Sequence, residues 1–76
     1  MVVNYKNHTI EYFGDPIAFT DKWRGKVRIS WDENGTRKVV PFDSPLTGFS
    51  SLLEAEGWGL EVGKKWIDDG KPGLFK

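Results

Sequence analysis

The sequence contains no cysteine, which excludes a disulfide framework and any metal site built on thiolates. Its single histidine, His8, argues against a histidine-ligated zinc centre and against a histidine-centred catalytic triad within one chain. No apolar run approaches the ~20 residues of a membrane-spanning helix, and the first residues lack the apolar stretch of a signal peptide. These absences predict a cytoplasmic, non-catalytic protein that carries neither cofactor nor metal.

Net charge is also lacking, because eleven Lys and Arg balance eleven Asp and Glu. The chain as a whole therefore does not have the strongly basic character of a nucleic-acid binder. Its 76 residues predict one domain, with sheet-forming residues 1–48 followed by a helix and tail in residues 49–76. A chain this short buries only roughly 60% of its unfolded surface, so its aromatic residues must supply much of the core. Dimerisation is another common source of stability at this size.

Three segments have the pattern of β-strands. Residues 23–31 alternate strictly between apolar and polar side chains, a period of two that is typical of a half-buried strand. Asn34-Gly35 is a strong hairpin signal, so residues 36–42 are predicted as the return strand. An earlier strand covers about residues 8–13. We therefore expect a three-stranded antiparallel meander with residues 23–31 at its centre.

The register of the hairpin follows from its turn. A two-residue turn sets Asp32 opposite Arg37 on one face and Ile29 opposite Val40 on the other. A three-residue loop would turn polar residues toward the core, because a slip of one residue reverses every side chain. A four-residue loop keeps the same parity and remains an alternative. Pro41 has no amide hydrogen to donate, so the return strand is predicted to lie at an edge or to end there.

A capping box marks the start of the helix. The hydroxyl of Ser51 can accept the amide hydrogen of Glu54, whose carboxylate reaches back to the cap. The apolar stripe that follows predicts a helix over residues 52–68, and Gly70 suits the left-handed position just beyond its end. Together these elements predict an α+β domain of two layers, a three-stranded antiparallel β-meander with one C-terminal α-helix packed on one face.

Two glycines on the inner face of the predicted helix need a physical reason, since each costs roughly 0.8–1.0 kcal/mol relative to alanine. We interpret Gly59 and Gly63 as positions that let the helix lie close over Trp23 or Trp31. A ligand groove along the glycines is the alternative. Ile17 and Phe19, in the connection between the first two predicted strands, are expected to close one end of the core.

Three apolar residues flank the helix stripe and are candidates for a partner surface. Trp58 and Leu60 lie about 100° to either side of the stripe, and Leu53 lies slightly further out. A short helix over a narrow sheet does not easily bury all three, so they predict a contact with a protein partner or a second copy of the chain. Alternatively, the loop at residues 14–22 and the tail residues Leu74-Phe75 cover them.

The outer face of the predicted hairpin gathers positive charge. The candidate residues for binding phosphates are Arg24, Lys26, Arg28 and Arg37. The other interpretation is a solvated sheet face whose charges prevent aggregation. The sequence also offers no clear catalytic group. The adjacent carboxylates Asp68-Asp69 diverge on a helix and are expected to pair with Lys64 or Lys65.

The chain resembles short bacterial β-β-β-α proteins of unknown function. The resemblance is carried by three stretches: Trp23 with Val27-Arg28-Ile29, Phe49-x-Ser51-x-x-Glu54-Ala55, and Trp66-Ile67-Asp68-x-Gly70-Lys71-Pro72. It covers most of the chain and implies no activity.

The order of three strands and a capped helix is also similar to the plant ethylene-response DNA-binding domain and to the small sheet domains of some integrases. Those domains place Arg and Trp residues of the sheet in the major groove. Carried over by position, this resemblance implicates the same four basic residues. The chain departs from the pattern because Trp23 and Trp31 fall on the core side of the sheet.

Two functions follow from these features. The first is a small non-catalytic protein-interaction or self-associating module that uses Trp58, Leu60 and Leu53. The alternative is nucleic-acid binding through the basic outer face of the sheet.

Overall fold

Four antiparallel strands precede one helix in the computed structural model of the protein, which describes residues 1–45 and 47–70. The strands lie side by side in chain order, and the helix packs on one face across the two inner strands. The elements are β1 (Val2–Tyr5), β2 (His8–Pro16), β3 (Trp23–Glu33), β4 (Thr36–Asp43) and α1 (Leu52–Asp68). The α+β class and the antiparallel sheet are confirmed.

The sheet has four strands, and the prediction of three was wrong. The strand that the sequence did not indicate is β1, which has only four residues, too few for its alternation to stand out. It joins β2 through a two-residue turn, in which Lys6 and Asn7 both have positive φ, 48° and 66°. Left-handed backbone at both turn positions matches the right-handed twist of a hairpin. Lys6 gives no local signal for this turn, because such conformations favour Gly, Asn and Asp.

The second hairpin follows the prediction. Asn34 and Gly35 form a two-residue turn with φ of 53° and 79°, and the register sets Asp32 opposite Arg37. The strand β4 is an edge strand, as Pro41 requires. Bonded and non-bonded pairs alternate away from such a turn, which puts the Pro41 nitrogen on the free edge, where no neighbouring strand needs a donor.

The helix begins and ends as predicted. The hydroxyl of Ser51 accepts the amide hydrogen of Glu54 at 3.1 Å and donates to its carboxylate at 3.2 Å. The first of these bonds satisfies one of the backbone amides that the first turn of a helix leaves open, and the second joins the two side chains. Gly70 follows the helix with φ of 83°, the left-handed geometry expected there. Over the described part of the chain, no helix has the length and apolarity that crossing a bilayer demands.

Two glycines, which have no side chain, let α1 lie directly on the sheet. A Cβ atom on Gly59 would stand 2.8 Å from the carbonyl oxygen of Lys26, and one on Gly63 would stand 2.9 Å from the side chain of Ile10. The close approach is thus as predicted, but the sheet residues below the glycines are Ile10, Tyr12 and Val27 rather than Trp23 or Trp31. Branched side chains at mid-sheet suit the narrow gap, since a tryptophan ring would hold the helix away.

Large rings flank these two glycines along α1, since Trp58 precedes Gly59 and Trp66 follows Gly63. Toward the end of α1, Trp66 contacts the rings of Trp31 and Phe42, with centroid separations of 5.7 and 5.5 Å. Near the start of the helix the arrangement is reversed, since Trp58 lies over Gly25 of the sheet. The sheet and the helix therefore each have glycines that leave room for side chains of the other.

The glycines of α1 provide a matched test of this packing. We expect Gly57→Ala to raise the free energy of unfolding by about 0.8–1.0 kcal/mol, because nothing lies within 4 Å of the added methyl group. Overpacking costs typically about 1–3 kcal/mol, so Gly59→Ala should give a net loss of up to about 2 kcal/mol. Urea denaturation of both variants measures the difference. Equal stabilisation by the two changes would contradict the close approach at Gly59.

Candidate interaction surface

Ion pairs neutralise the outer face of the sheet. Each of the four basic residues predicted there has a carboxylate within 4 Å. The pairs are Arg24–Asp43 (3.8 Å), Lys26–Asp15 (3.1 Å), Arg28–Glu11 (3.8 Å) and Arg37–Asp32 (3.5 Å). The four carboxylates cancel the four cations, so the face presents alternating charge and not a basic patch.

Most of these carboxylates are distant in sequence from their partners. Glu11 and Asp15 reach the face from β2, and Asp43 reaches it from the end of β4. The pairing of β2 with β3 depends on a loop whose geometry the sequence does not fix. The Asp32–Arg37 and Arg24–Asp43 pairs, by contrast, join the two strands of one hairpin, whose register follows from its turn.

The three residues predicted to flank the helix stripe differ in exposure. Trp58 and Leu60 are half-buried and pack against the core. The ring of Trp58 also lies 6.4 Å from that of Phe49, in the segment between β4 and α1. Leu53 is 78% exposed in the first turn of the helix. The proposed cover by Leu74-Phe75 lies outside the described residues.

The largest departure from the predicted core is Phe19, in the loop between β2 and β3. We expected it to close one end of the core, but its side chain is fully exposed. Its φ is 64°, a left-handed conformation that is unusual for a bulky residue. Its neighbours Thr20, Asp21 and Lys22 are polar. The sequence nevertheless did not indicate that the ring is exposed, because aromatic residues are more often buried.

The loop that carries Phe19 is held by hydrogen bonds at its base. The amide of Ile17 donates to the Lys22 carbonyl at 3.0 Å. The hydroxyl of Thr20 donates to the Ile17 carbonyl at 2.8 Å and accepts the amide hydrogen of Lys22 at 3.0 Å. The side chains of Ile17 and Lys22 also pack against Gly48. The exposed ring therefore projects from a structured base.

We call this part of the molecule the loop end: residues 17–22 and the first helical residues, Leu52 and Leu53. Leu52 covers Gly14 near the end of β2 and remains 40% exposed. The loop end thus presents one fully exposed aromatic ring and two exposed leucines. Of these three side chains, only Leu53 belongs to the partner surface predicted from the sequence, whose other members were Trp58 and Leu60.

The opposite end holds a cluster of titratable groups. The hydroxyl of Tyr5 donates to both carboxylate oxygens of Asp68, at 2.8 and 3.0 Å, and the ammonium of Lys6 also donates to Asp68. The hydrogen bond from Lys6, then that from Tyr5, lowers the pKa of Asp68. The hydrogen bond to Asp68 raises the pKa of Tyr5. Tyr5 therefore keeps its proton, and the cluster joins β1 to the end of α1.

The pairing of Asp68 with Tyr5 and Lys6 was not predicted from the sequence, because 62 and 63 positions separate the partners. The neighbouring Asp69 does pair with Lys65, at 3.2 Å, as expected. Among residues 1–45 and 47–70, no group of three or more His, Asp or Glu side chains could hold a metal ion.

A shallow apolar groove runs along the last two turns of α1. It has a volume of about 210 Å³ and is lined by Val62, Lys65, Trp66 and Asp69. The contact of Trp66 with Phe42 shows that this side of the helix faces β4.

Comparisons of the chain with protein-family models, with curated proteins and with solved structures found no match. Functional inference therefore rests on the geometry of the chain itself.

The Asp68 cluster predicts a pH-dependent contribution to stability. Because its pKa is lowered below the ordinary value of 3.8, Asp68 stabilises the fold above that pH and loses this effect as the pH falls through its folded pKa. We expect Asp68→Asn to lower the melting temperature at pH 7, and the difference from the native chain to close in acid. Thermal denaturation from pH 7 to pH 2 tests this, with Glu61→Gln on the same helix as control. A difference at pH 2 as large as that at pH 7 would contradict it.

Proposed function

We propose that the chain is a small non-catalytic interaction module whose loop end binds an apolar site on a protein partner, with Phe19 as the anchor. The observation that carries this proposal is the full exposure of Phe19 on left-handed backbone. Left-handed conformation costs an L-residue roughly 1–2 kcal/mol, and an exposed ring returns nothing to the core. Phe19 thus lowers the stability of the free protein and does not contribute to its packing. The simplest explanation is a contact with another molecule.

The anchoring of the loop supports the same proposal. Aromatic residues dominate the binding energy of many protein interfaces, and ordering a loop on binding reduces affinity. The base of this loop is already fixed by hydrogen bonds among Ile17, Thr20 and Lys22. Leu53 is a further exposed apolar residue of the loop end. Trp58 and Leu60 support the helix from within, as their half-buried positions suggest.

The alternative, nucleic-acid binding, receives less support from the geometry. Contacts with phosphates derive their affinity from cations that displace condensed counterions. The four basic residues of the outer face already lie beside carboxylates. A polyanion would have to compete with these ion pairs and would meet four negative charges on the same surface.

Replacement of Phe19 separates binding from stability. Asparagine adopts left-handed backbone more readily than phenylalanine, so we expect Phe19→Asn to leave the melting temperature unchanged or raise it. A photoreactive phenylalanine analogue at position 19 should cross-link a partner in the cells of origin. An excess of native chain should compete for that product, whereas the Phe19→Asn variant should not.

The matched control carries the photoreactive group at Val39, which is 51% exposed on the outer sheet face. We expect no specific product there. A product at position 19 that both competitors suppress equally would contradict an anchor role for Phe19. A large loss of stability in Phe19→Asn would show instead that the ring supports the fold.

The ion pairs of the outer face make a second prediction. We expect the native chain not to bind duplex DNA in a titration at ~50 mM salt. The triple variant Glu11→Gln, Asp15→Asn, Asp43→Asn leaves three cations without their carboxylates and should show weak, salt-sensitive binding. Salt-sensitive binding by the native chain would favour the nucleic-acid alternative.

A further inference from the structure

Phe19 occupies a turn position that normally holds glycine. The amide of Thr20 donates to the carbonyl of Ile17 at 3.2 Å, which closes a four-residue turn over residues 17–20. Phe19 is the third residue of this turn and has φ of 64°, whereas Ala18 before it is not among the residues with positive φ. Positive φ at the third position alone distinguishes the type II turn, and Gly or Asn is favoured there. Phenylalanine thus holds a position that its own stereochemistry disfavours.

A side-chain hydroxyl replaces one backbone hydrogen bond where the loop meets the sheet. Ile17 lies opposite Lys22, one step beyond the last paired residues of β2 and β3. Opposed residues at such a step exchange two hydrogen bonds, and one is present, from the Ile17 amide to the Lys22 carbonyl at 3.0 Å. In place of the other, the Lys22 amide donates to the Thr20 hydroxyl at 3.0 Å, and that hydroxyl donates to the Ile17 carbonyl at 2.8 Å. The Thr20 oxygen is thus inserted as a spacer between two backbone groups.

The spacer keeps the loop from closing in the ordinary way. A hairpin loop of four residues, here residues 18–21, is most often built around a type I turn. Both central residues of that turn have negative φ, which an L-residue such as Phe19 adopts without the cost of left-handed backbone. A direct bond from the Lys22 amide to the Ile17 carbonyl would draw the chain together at this step and favour the ordinary loop. The observed loop therefore depends on the side chain that separates these two groups, because the exposed ring itself offsets none of the cost.

We propose that Thr20 is the positioning residue of the loop end: its hydroxyl holds the loop open, keeps Phe19 left-handed and so directs the ring toward the partner. This inference rests on the proposed function and assigns it a second residue, which acts through Phe19. When only a fraction of a protein is in the conformation that binds, its apparent dissociation constant rises in inverse proportion to that fraction. Loss of the hydroxyl should therefore weaken binding by lowering this fraction, although no contact made by the ring is removed.

The first measurement follows the loop of the isolated protein by NMR spectroscopy. Thr20→Val removes the hydroxyl and keeps the branched shape of the side chain, whereas Thr20→Ser keeps the hydroxyl. Cross-relaxation between the amide proton and the Hα proton of residue 19 is strongest at positive φ, because these protons are then closest. We expect it to fall at least twofold in Thr20→Val and to stay unchanged in Thr20→Ser. A scalar coupling across a direct hydrogen bond from Lys22 to Ile17 should appear only in Thr20→Val.

Two further variants are controls for this measurement. Thr36→Val makes the same substitution at the start of β4 and should leave residue 19 unchanged. Asparagine adopts left-handed backbone readily, so in the Phe19→Asn chain the added Thr20→Val change should reduce the cross-relaxation at position 19 less than in the native chain. This non-additivity separates support of Phe19 from a general contribution of Thr20 to stability.

The second measurement is competition for the product that the photoreactive group at position 19 forms. Each chain is added without that group, and the concentration that halves the yield of the product is compared. Thr20→Val should require at least threefold more protein than the native chain. Thr20→Ser and Thr36→Val should compete as strongly as the native chain.

Three results would overturn the role of Thr20. They are unchanged cross-relaxation in Thr20→Val, an equal fall in Thr20→Ser, or a fall in Thr20→Val that leaves its strength as a competitor unchanged. Absence of any product that the native chain suppresses would instead overturn the proposed function. The NMR measurements use the isolated protein, so they decide separately whether the hydroxyl sets the conformation of the loop.

Discussion

The close approach of the helix to the sheet is the constraint on which the remaining structure depends. Gly59 and Gly63 leave room for Ile10 and Val27, while Gly25 of the sheet leaves room for Trp58. Because each surface fills the gaps of the other, the helix has one position in which the layers fit. That position fixes which rings lie near the end of the helix, and it determines which side chains remain at its flanks.

The placement of the helix over β2 and β3 distributes the exposed surface unequally. Toward β4, the side of the helix with Val62 and Trp66 forms a groove. At the other end, the loop after β2 extends beyond the layers and presents Phe19. The outer face of the sheet, by contrast, is balanced by ion pairs. The exposed leucines and the exposed aromatic ring thus lie on the helix and the loop, while the sheet exposes only Val2 and Val39 among its large described apolar residues.

The elements that the sequence predicted are those whose determinants are local. Asn34-Gly35 specifies a turn by itself, and Ser51 with Glu54 specifies a helix start within four residues. The features that it missed depend on contacts between distant segments. The strand β1 has too few residues for a periodic signal, and its turn at Lys6-Asn7 uses a conformation that lysine seldom adopts. The exposure of Phe19 could not be predicted, because an apolar residue is expected to be buried. Only the tertiary structure shows that the loop holds this ring in solvent.

Pro41 has a consequence for how copies of this chain can assemble. Its nitrogen occupies the free edge of β4 and offers no hydrogen to an incoming strand, and Lys38 on the same strand adds a charge there. Continuous sheets that grow by strand addition are the route to fibres that do not redissolve. The proline and the lysine therefore disfavour strand addition at the β4 edge of the sheet. One residue without an amide hydrogen thus protects this edge against growth into a continuous sheet.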